Sequence, residues 1–189
     1  YGDLRFEGEA PLPLAARNPE GVLYMGSFSK VLAPGLRLGF VVAPKSVYGK
    51  LVQAKQAADL HTPSFNQRVV AEVMKDGFLA RHIPTIRTLY KNQRDAMLAA
   101  LDQEMVGLGV SWTRPVGGMF LWVQLPEGMD AQKLLPLAVE RGMAFVPGAP
   151  FFPGNPQHNC LRLSYVTVPP AQIAQGIAAL AAAIKAYAQ

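Results

Sequence analysis

The sequence has a single cysteine, Cys160, among its 189 residues. One cysteine excludes an internal disulfide framework and favours a reducing compartment, most simply the cytoplasm. Long apolar runs are also missing, since no stretch reaches the ~18 uninterrupted apolar residues of a membrane helix. Charged residues interrupt the start of the chain, where a signal peptide would be apolar. We therefore expect a folded, soluble protein with no membrane partner, and no metal site is predicted.

Half of the residues are apolar, which allows a sizeable core in one domain or in two small ones. The formal net charge is +5 at pH 7, which is compatible with nucleic acid or with anionic cofactors and substrates. The basic residues are scattered, however. Only Arg87, Lys91 and Arg94 share one helical face, and such a trio is typical of a solvated helix surface. Charge alone therefore indicates no particular partner.

The most informative stretch is residues 27–40, where Lys30 lies between two apolar runs. A partly desolvated lysine loses some of its preference for the charged form, so its neutral nitrogen can attack a carbonyl. Ser27 and Arg37 add a hydroxyl and a guanidinium, which suit the oxygens of a phosphate. Taken alone, Lys30 is more readily interpreted as a solvated surface lysine. The combination of the three residues indicates a pyridoxal phosphate site.

The whole stretch resembles the cofactor-lysine signature of the class I and II aminotransferases, which are fold type I pyridoxal phosphate enzymes. The resemblance implies that Lys30 is the catalytic lysine, and that Ser27 and Arg37 contact the cofactor phosphate. The opening Tyr-Gly-Asp-Leu-Arg-Phe resembles the segment that follows the family's Asp-x-x-Tyr element. By this resemblance Tyr1 is a further cofactor contact.

Arg162 is the second chemical candidate, in a strand predicted at residues 160–166. Alternation places Leu161 and Leu163 on one face of that strand and Arg162 on the other. Spacing alone favours an internal salt bridge or an edge position. The alternative is a planar fork that binds a substrate carboxylate through two parallel hydrogen bonds. Resemblance favours this second interpretation, because an arginine in this late strand is similar to the family's α-carboxylate anchor.

Residues 117–122 and 145–152 also resemble family segments, so the matches follow the family's order along nearly the whole chain. The sequence thus resembles the C-terminal half of an aminotransferase. The glycine-rich phosphate loop, the ring-stacking aromatic, the asparagine beside it and the aspartate that keeps the pyridine nitrogen protonated precede this region in the family. We therefore expect the fragment itself to be inactive. Residues 32–39 and 146–152 resemble the branch that contains 2-aminoadipate, kynurenine and aromatic aminotransferases.

For the intact enzyme, the resemblance implies transfer of an amino group between an L-amino acid and a 2-oxo acid, in a cytoplasmic homodimer. The alternative is a GntR/MocR-type transcription regulator, in which an aminotransferase-like effector domain senses pyridoxal phosphate and a separate winged helix binds DNA. Nucleic acid is expected as a partner only if such an N-terminal domain exists.

The expected fold class is α/β, with part of a large-domain sheet followed by a small α+β C-terminal domain. Apolar runs at residues 22–25 and 36–43 predict buried strands of a parallel or mixed sheet, covered by helices on both faces. Residues 1–83 are assigned to the large domain, 84–106 to a long interdomain helix and 107–189 to the small domain. Further helices are predicted at 46–60, 65–75, 130–141 with an interruption at Pro136, and from Pro169 onward; further strands are predicted at 110–113, 118–125 and 160–166.

Overall fold

The computed structural model describes residues 2–187, so the predicted cofactor contact Tyr1 lies outside the described residues. The chain forms two compact units, Tyr1–Ile86 and Arg87–Gln189. The helices are α1 (Leu14–Arg17), α2 (Lys45–Asp59), α3 (Ser64–Val73), α4 (Phe78–Glu104), α5 (Ala131–Val139) and α6 (Pro170–Tyr187). The strands are β1 (Tyr24–Ser27), β2 (Gly39–Val42), β3 (Ser111–Trp112), β4 (Phe120–Gln124), β5 (Val146–Pro147) and β6 (Cys160–Ser164).

In the first unit β1 is as long as predicted but begins two residues later, β2 is shorter than predicted, and the two strands pair with each other antiparallel. β2 begins only at Gly39, because Pro34–Leu36 form a 3-10 turn and Arg37 adopts a left-handed conformation with φ 50°. Within residues 2–187 most side chains of this pair are exposed, including Met25 at 74%. The prediction that helices cover both faces is therefore wrong for the described part of the chain.

Helices α2 and α3 lie close to their predicted positions and are separated by the predicted break before Ser64. α2 ends where Leu60 turns to a positive φ of 65°. The N-cap position of α3 is Pro63, and no side chain caps this helix by a hydrogen bond. Ser64 is already the first residue of this helix.

The long helix α4 begins at Phe78 rather than at the predicted Pro84, which lies inside it. Its start follows Asp76 and Gly77, both with positive φ, so the chain turns sharply just before the helix. Further along, Met97, Leu98 and Leu101 are buried and form its apolar stripe. The boundary between the two units, after Ile86, falls within the residues of this helix.

The second unit is built on an antiparallel sheet of strand order β3-β4-β6-β5. Alternation along β4 and β6 gives this sheet two unlike faces. One face carries fully buried apolar side chains, namely Leu121, Val123, Leu161 and Leu163. The other face carries Phe120, Trp122 and Arg162, which are only half-buried.

Helices α5 and α6 contribute the remaining core of this unit and pack against each other. The Asp130 side chain caps α5 by accepting a hydrogen bond from the Gln132 N–H at 2.8 Å. Pro136 does not interrupt α5 as predicted, since the helix runs through it with Leu134 and Ala138 completely buried on its inner side. The sequence spacing predicts a stripe of Ile173, Ile177, Leu180, Ile184 and Tyr187 in α6; the first four are buried, and Tyr187 is half-buried.

Candidate functional site

Lys30 lies on the loop that joins β1 to β2, here called the lysine loop (residues 28–38). The last pair of the strand ladder, Ser27 with Gly39, holds the two ends of this loop together. Beyond it the Phe28 N–H donates to the Leu38 carbonyl at 3.1 Å, and the Phe28 carbonyl accepts from the N–H groups of Leu32 and Ala33 at 2.9 and 3.1 Å. Lys30 is therefore held on a turn whose backbone is fixed by local hydrogen bonds.

Beside this loop lies an aromatic row, formed by the rings of Tyr24, Phe28 and Phe40, which requires glycine at position 26. The Phe40 ring covers Gly26, and a methyl group added there would lie 2.2 Å from Phe40 Cζ. The ring centroids of Tyr24 and Phe28 lie 6.1 and 5.7 Å from that of Phe40. The sequence patterns did not predict this row, although the cross-strand pairing of a glycine with a phenylalanine is a usable signal once the register is known.

Lys30 and Ser27 line one cleft of about 590 Å³. Its other walls are mostly apolar and include the aromatic row, Val31 and side chains of the segments that follow α3. Lys30 is half-buried, and its ammonium group has no hydrogen-bond or ion-pair partner among residues 2–187. An amine with this environment is available to a ligand that enters the cleft.

The two predicted phosphate contacts are not brought to the same cavity. The Ser27 hydroxyl accepts from the Ser29 N–H at 3.1 Å and lies 3.0 Å from the Ser29 hydroxyl, at the margin of the Lys30 cleft. Arg37 instead borders a neighbouring groove of about 890 Å³ beside α2. Its guanidinium donates to the Pro34 carbonyl at 3.3 Å. The joint role of Ser27 and Arg37 toward one phosphate thus stays a prediction.

One further residue supports the lysine loop from outside it. The Asn66 side-chain amide, on α3, donates to the Leu36 carbonyl at 3.1 Å. This bond fixes the 3-10 turn that precedes Arg37. Asn66 is not predictable from the sequence, because no local pattern relates it to a carbonyl thirty residues earlier.

Arg162 occupies the centre of the second unit's sheet. Its strand lies between β4 and β5, where Trp122 and Val146 are its cross-strand partners, so the edge position considered from the sequence is wrong. The salt-bridge interpretation also finds no support, since no carboxylate pairs with Arg162 within residues 2–187. An unpaired guanidinium on the half-buried face of a sheet is suited to bind an anion.

Two aromatic rings contact the Arg162 guanidinium. Its central carbon lies 4.1 Å from the ring centroid of Phe120 and 4.9 Å from that of Phe151. Phe151 in turn meets Trp122 edge to face, with centroids 5.7 Å apart. Arg162 Nε is buried and has no hydrogen-bond partner. Neither terminal nitrogen of the guanidinium is both buried and unpartnered in this way. The two ends of the guanidinium therefore differ in their surroundings.

A buried polar cluster, here called the Arg94 cluster (Gln93, Arg94 and Tyr165), binds the segment before β4 and the segment after β6 by hydrogen bonds. Arg94 donates to the Pro115 carbonyl at 2.6 Å, and the Tyr165 hydroxyl donates to the Gly117 carbonyl at 3.1 Å. Gln93 donates to the Val168 carbonyl at 2.8 Å. Burial raises the pKa of Tyr165 to about 12, although the positive charge of Arg94 opposes the shift.

The interpretation of Arg94 as part of a solvated helix surface is therefore wrong, since its side chain is buried. A helical spacing of basic residues shows which face they share, but not whether that face meets solvent. Within residues 2–187 no helix combines the length and apolar character needed to cross a membrane. The same residues contain no group of three or more histidine, cysteine or acidic side chains that could hold a metal ion.

Comparison with known proteins places these features in context. Residues 1–180 match the family described as aminotransferase class I and II. Aromatic-amino-acid aminotransferase 1 of Thermococcus litoralis is 46% identical over 186 residues, which are 98% of this chain and 44% of that protein. The 2-aminoadipate transaminase of Thermus thermophilus is 50% identical over 190 residues, covering 98% of this chain and 47% of that protein.

Among solved structures, the α-aminoadipate aminotransferase of Thermus thermophilus, in complex with N-(5′-phosphopyridoxyl)-L-leucine, superimposes with a TM-score of 0.90 at 49% identity. The match covers 98% of this chain and 48% of that one. A helix-turn-helix-type transcriptional regulator of Bacillus subtilis is 32% identical over 182 residues, which are 37% of its length. The chain thus spans less than half the length of these relatives.

Proposed function

Because the chain belongs to the class I and II aminotransferases, we propose that it is the C-terminal part of an enzyme that moves an amino group between an L-amino acid and a 2-oxo acid. The half-buried Lys30, with an unpartnered ammonium group in a largely apolar cleft, is the observation that carries this proposal. The fold is the α/β architecture of the fold type I aminotransferases, matched over nearly the whole chain. Residues 1–83 would complete a large domain, 84–106 would connect it and 107–189 would form the small domain.

The residues of the Lys30 cleft fit pyridoxal phosphate, the cofactor of this family. When bound, the cofactor withdraws electrons from the substrate α-carbon. In this proposal Lys30 Nζ would hold the cofactor, and the same amine, once the amino group of the substrate has replaced it there, would move a proton at the substrate α-carbon as general base and acid. The Ser27 hydroxyl, with Arg37 and Tyr1, would bind the cofactor. The apolar walls of the cleft would keep water away from the amine.

Arg162 is proposed to bind and orient the substrate α-carboxylate. A planar guanidinium offers two parallel N–H donors to a carboxylate, which fixes the orientation of the bound molecule as well as its position. Its central place in the sheet and the lack of a carboxylate partner among residues 2–187 support this role. Orientation by Arg162 would set which bond at the α-carbon reacts.

The substrates, the assembly and the location of the whole protein are also proposals. Similarity to enzymes named for 2-aminoadipate and aromatic amino acids supports a substrate from that branch. A cytoplasmic location would fit the single cysteine, and a homodimer is the usual assembly of this family. The chain's exposed apolar surface around β1 and β2 supports the view that further protein covers it in the whole enzyme.

A transcription regulator remains the second candidate, because such a protein matches the chain at 32% identity. The higher identities of 46% and 50% to enzymes favour the aminotransferase. The two are distinguished by the sequence that precedes Tyr1. A basic helix-turn-helix segment there would favour the regulator, and an Asp-x-x-Tyr element without such a segment would favour the enzyme.

The test is Lys30→Ala in the full-length protein, with Lys50→Ala as the matched control, since Lys50 is an exposed lysine of α2. Borohydride reduction of the holoenzyme followed by peptide mass spectrometry should place a pyridoxyl group on Lys30 in the wild type and in Lys50→Ala. Lys30→Ala should lose that adduct, and its turnover should fall about 1,000-fold or more. Retained transamination by Lys30→Ala, or an adduct on another lysine, would refute the assignment.

A further inference from the structure

We infer that Phe120 and Phe151 are positioning residues that hold the Arg162 guanidinium ready for a carboxylate; this inference rests on the proposed function. The guanidinium carbon lies 4.1 Å from one ring centroid and 4.9 Å from the other. Both distances lie within the ~6 Å range of cation–π attraction. The pair Phe120 and Phe151 is called the aromatic clamp below.

The sheet register explains how one half of the clamp is built. Trp122 is directly opposite Arg162, whereas Phe120 is opposite Ser164 and is therefore the diagonal neighbour of Arg162 on the same face. Diagonal side chains on one face are within reach of each other when they are long or aromatic. Arg162 extends along the sheet over the Phe120 ring instead of rising straight from its own strand.

The other half comes from the 3-10 turn Ala149–Phe151 that follows β5. Trp122 packs edge to face against Phe151 at 5.7 Å. The ring that contacts the guanidinium is thus itself fixed by a residue of β4. Phe152, next in the chain, also packs against Trp122, with ring centroids 6.1 Å apart, but within residues 2–187 it makes no cation–π contact with Arg162.

Two consequences follow for the charge on Arg162. Nε is buried and unpartnered, so the nitrogens at the far end of the fork are the donors left for a ligand. The rings also cover part of the guanidinium without neutralising it, and an ion pair formed in partly desolvated surroundings is stronger than in bulk water. The clamp therefore fixes the direction of the fork and raises its affinity for a carboxylate.

The experiment uses the full-length holoenzyme and two probes that lack an amino group, 3-phenylpropanoate and its uncharged amide. Dissociation constants are measured by titration calorimetry for Phe120→Leu, Phe151→Leu, Phe120→Tyr and Phe151→Tyr, with Phe152→Leu as the matched control. Each leucine variant should weaken binding of the carboxylate about 3- to 10-fold, from the loss of one cation–π contact. The tyrosine variants keep the ring face and should restore binding, and Phe152→Leu should bind as the wild type does.

The amide separates positioning from simple packing. If the rings only packed against the probe, each leucine variant would weaken carboxylate and amide equally, and the inference would be overturned. A loss confined to the carboxylate, and absent when Arg162→Lys is already present, supports the clamp. Phe151 is 50% exposed, so Phe151→Leu should fold even where Phe120→Leu does not.

Arg162→Lys distinguishes this inference from the proposed function. If Arg162→Lys weakens carboxylate binding more than about 10-fold while the leucine variants bind as the wild type does, the clamp is refuted and the role of Arg162 stands. If Arg162→Lys itself changes nothing, the carboxylate role of Arg162 is wrong and the clamp falls with it. The Lys30 adduct is measured separately and depends on neither result.

Discussion

Gly148→Ala is the substitution with the clearest structural consequence. Gly148 follows β5, and its N–H donates to the Cys160 carbonyl of β6 at 2.7 Å. A methyl group at this position would lie 2.7 Å from Cys160 Cβ and 2.8 Å from the Cys160 carbonyl oxygen. The backbone conformation itself is one that alanine adopts, with φ −79°. The conflict is therefore overlap with the neighbouring strand, not backbone strain.

The overlap can be relieved only if β5 and β6 move apart. Overpacking of this kind costs about 1–3 kcal/mol. For a folding unit of about 100 residues, such as Arg87–Gln189, the melting temperature falls by roughly 4–8 °C per kcal/mol lost. The movement would also carry Phe151, which ends the turn after Gly148, away from Arg162. We expect Gly148→Ala to lower both the melting temperature and the affinity for a carboxylate probe.

The assay is differential scanning calorimetry of the full-length protein, with Gly154→Ala as the matched control. A methyl group at Gly154, a few residues further along the same segment, would meet nothing within 4 Å. That variant should change stability by less than about 0.5 kcal/mol. Equal melting temperatures for the wild type and Gly148→Ala would refute the close approach of β5 to β6.

Two further substitutions test the second unit. In the unfolded state Tyr165 loses its proton near its ordinary pKa of 10.0, whereas burial in the folded state raises that pKa to about 12. The free energy of unfolding, measured with urea, should therefore fall as the pH rises from 10 toward 12, and it should fall less steeply in Tyr165→Phe. Equal slopes for the two proteins would contradict the burial of this phenol. Asp130→Ala removes the cap of α5 and should lower the free energy of unfolding by about 1 kcal/mol in the same assay. Asp130→Asn keeps an accepting oxygen and should lower it much less. An equal loss in both variants would contradict the capping role.

Periodicity in the sequence is enough to predict the helices that bury one stripe. Apolar residues at helical spacing predict α6, and Ile173, Ile177 and Ile184 of that stripe are buried as expected. The residues at which helices begin and end are less predictable from the sequence. Proline is favoured in a first turn, so the sequence predicts that α4 starts at Pro84, but the sharp turn at Asp76 and Gly77 starts the helix earlier.

For the candidate site, local sequence identifies the chemistry but not its surroundings. Residue type and context are enough to single out Lys30 and Arg162. The ring contacts of Arg162 depend on strand register and on the turn after β5, neither of which a residue pattern specifies. The burial of Arg94 likewise depends on the loop that supplies the Pro115 carbonyl. Contacts between distant segments are what the sequence alone does not supply.

The lysine loop owes its shape to near neighbours along the chain. Its ends are joined by the pair of Ser27 with Gly39, and its turn is closed by bonds to Phe28. Bringing together segments so near in sequence costs little chain entropy. We therefore expect a polypeptide with damaged long-range packing to keep Lys30 in the same turn, with only the hydrogen bond from Asn66 lost.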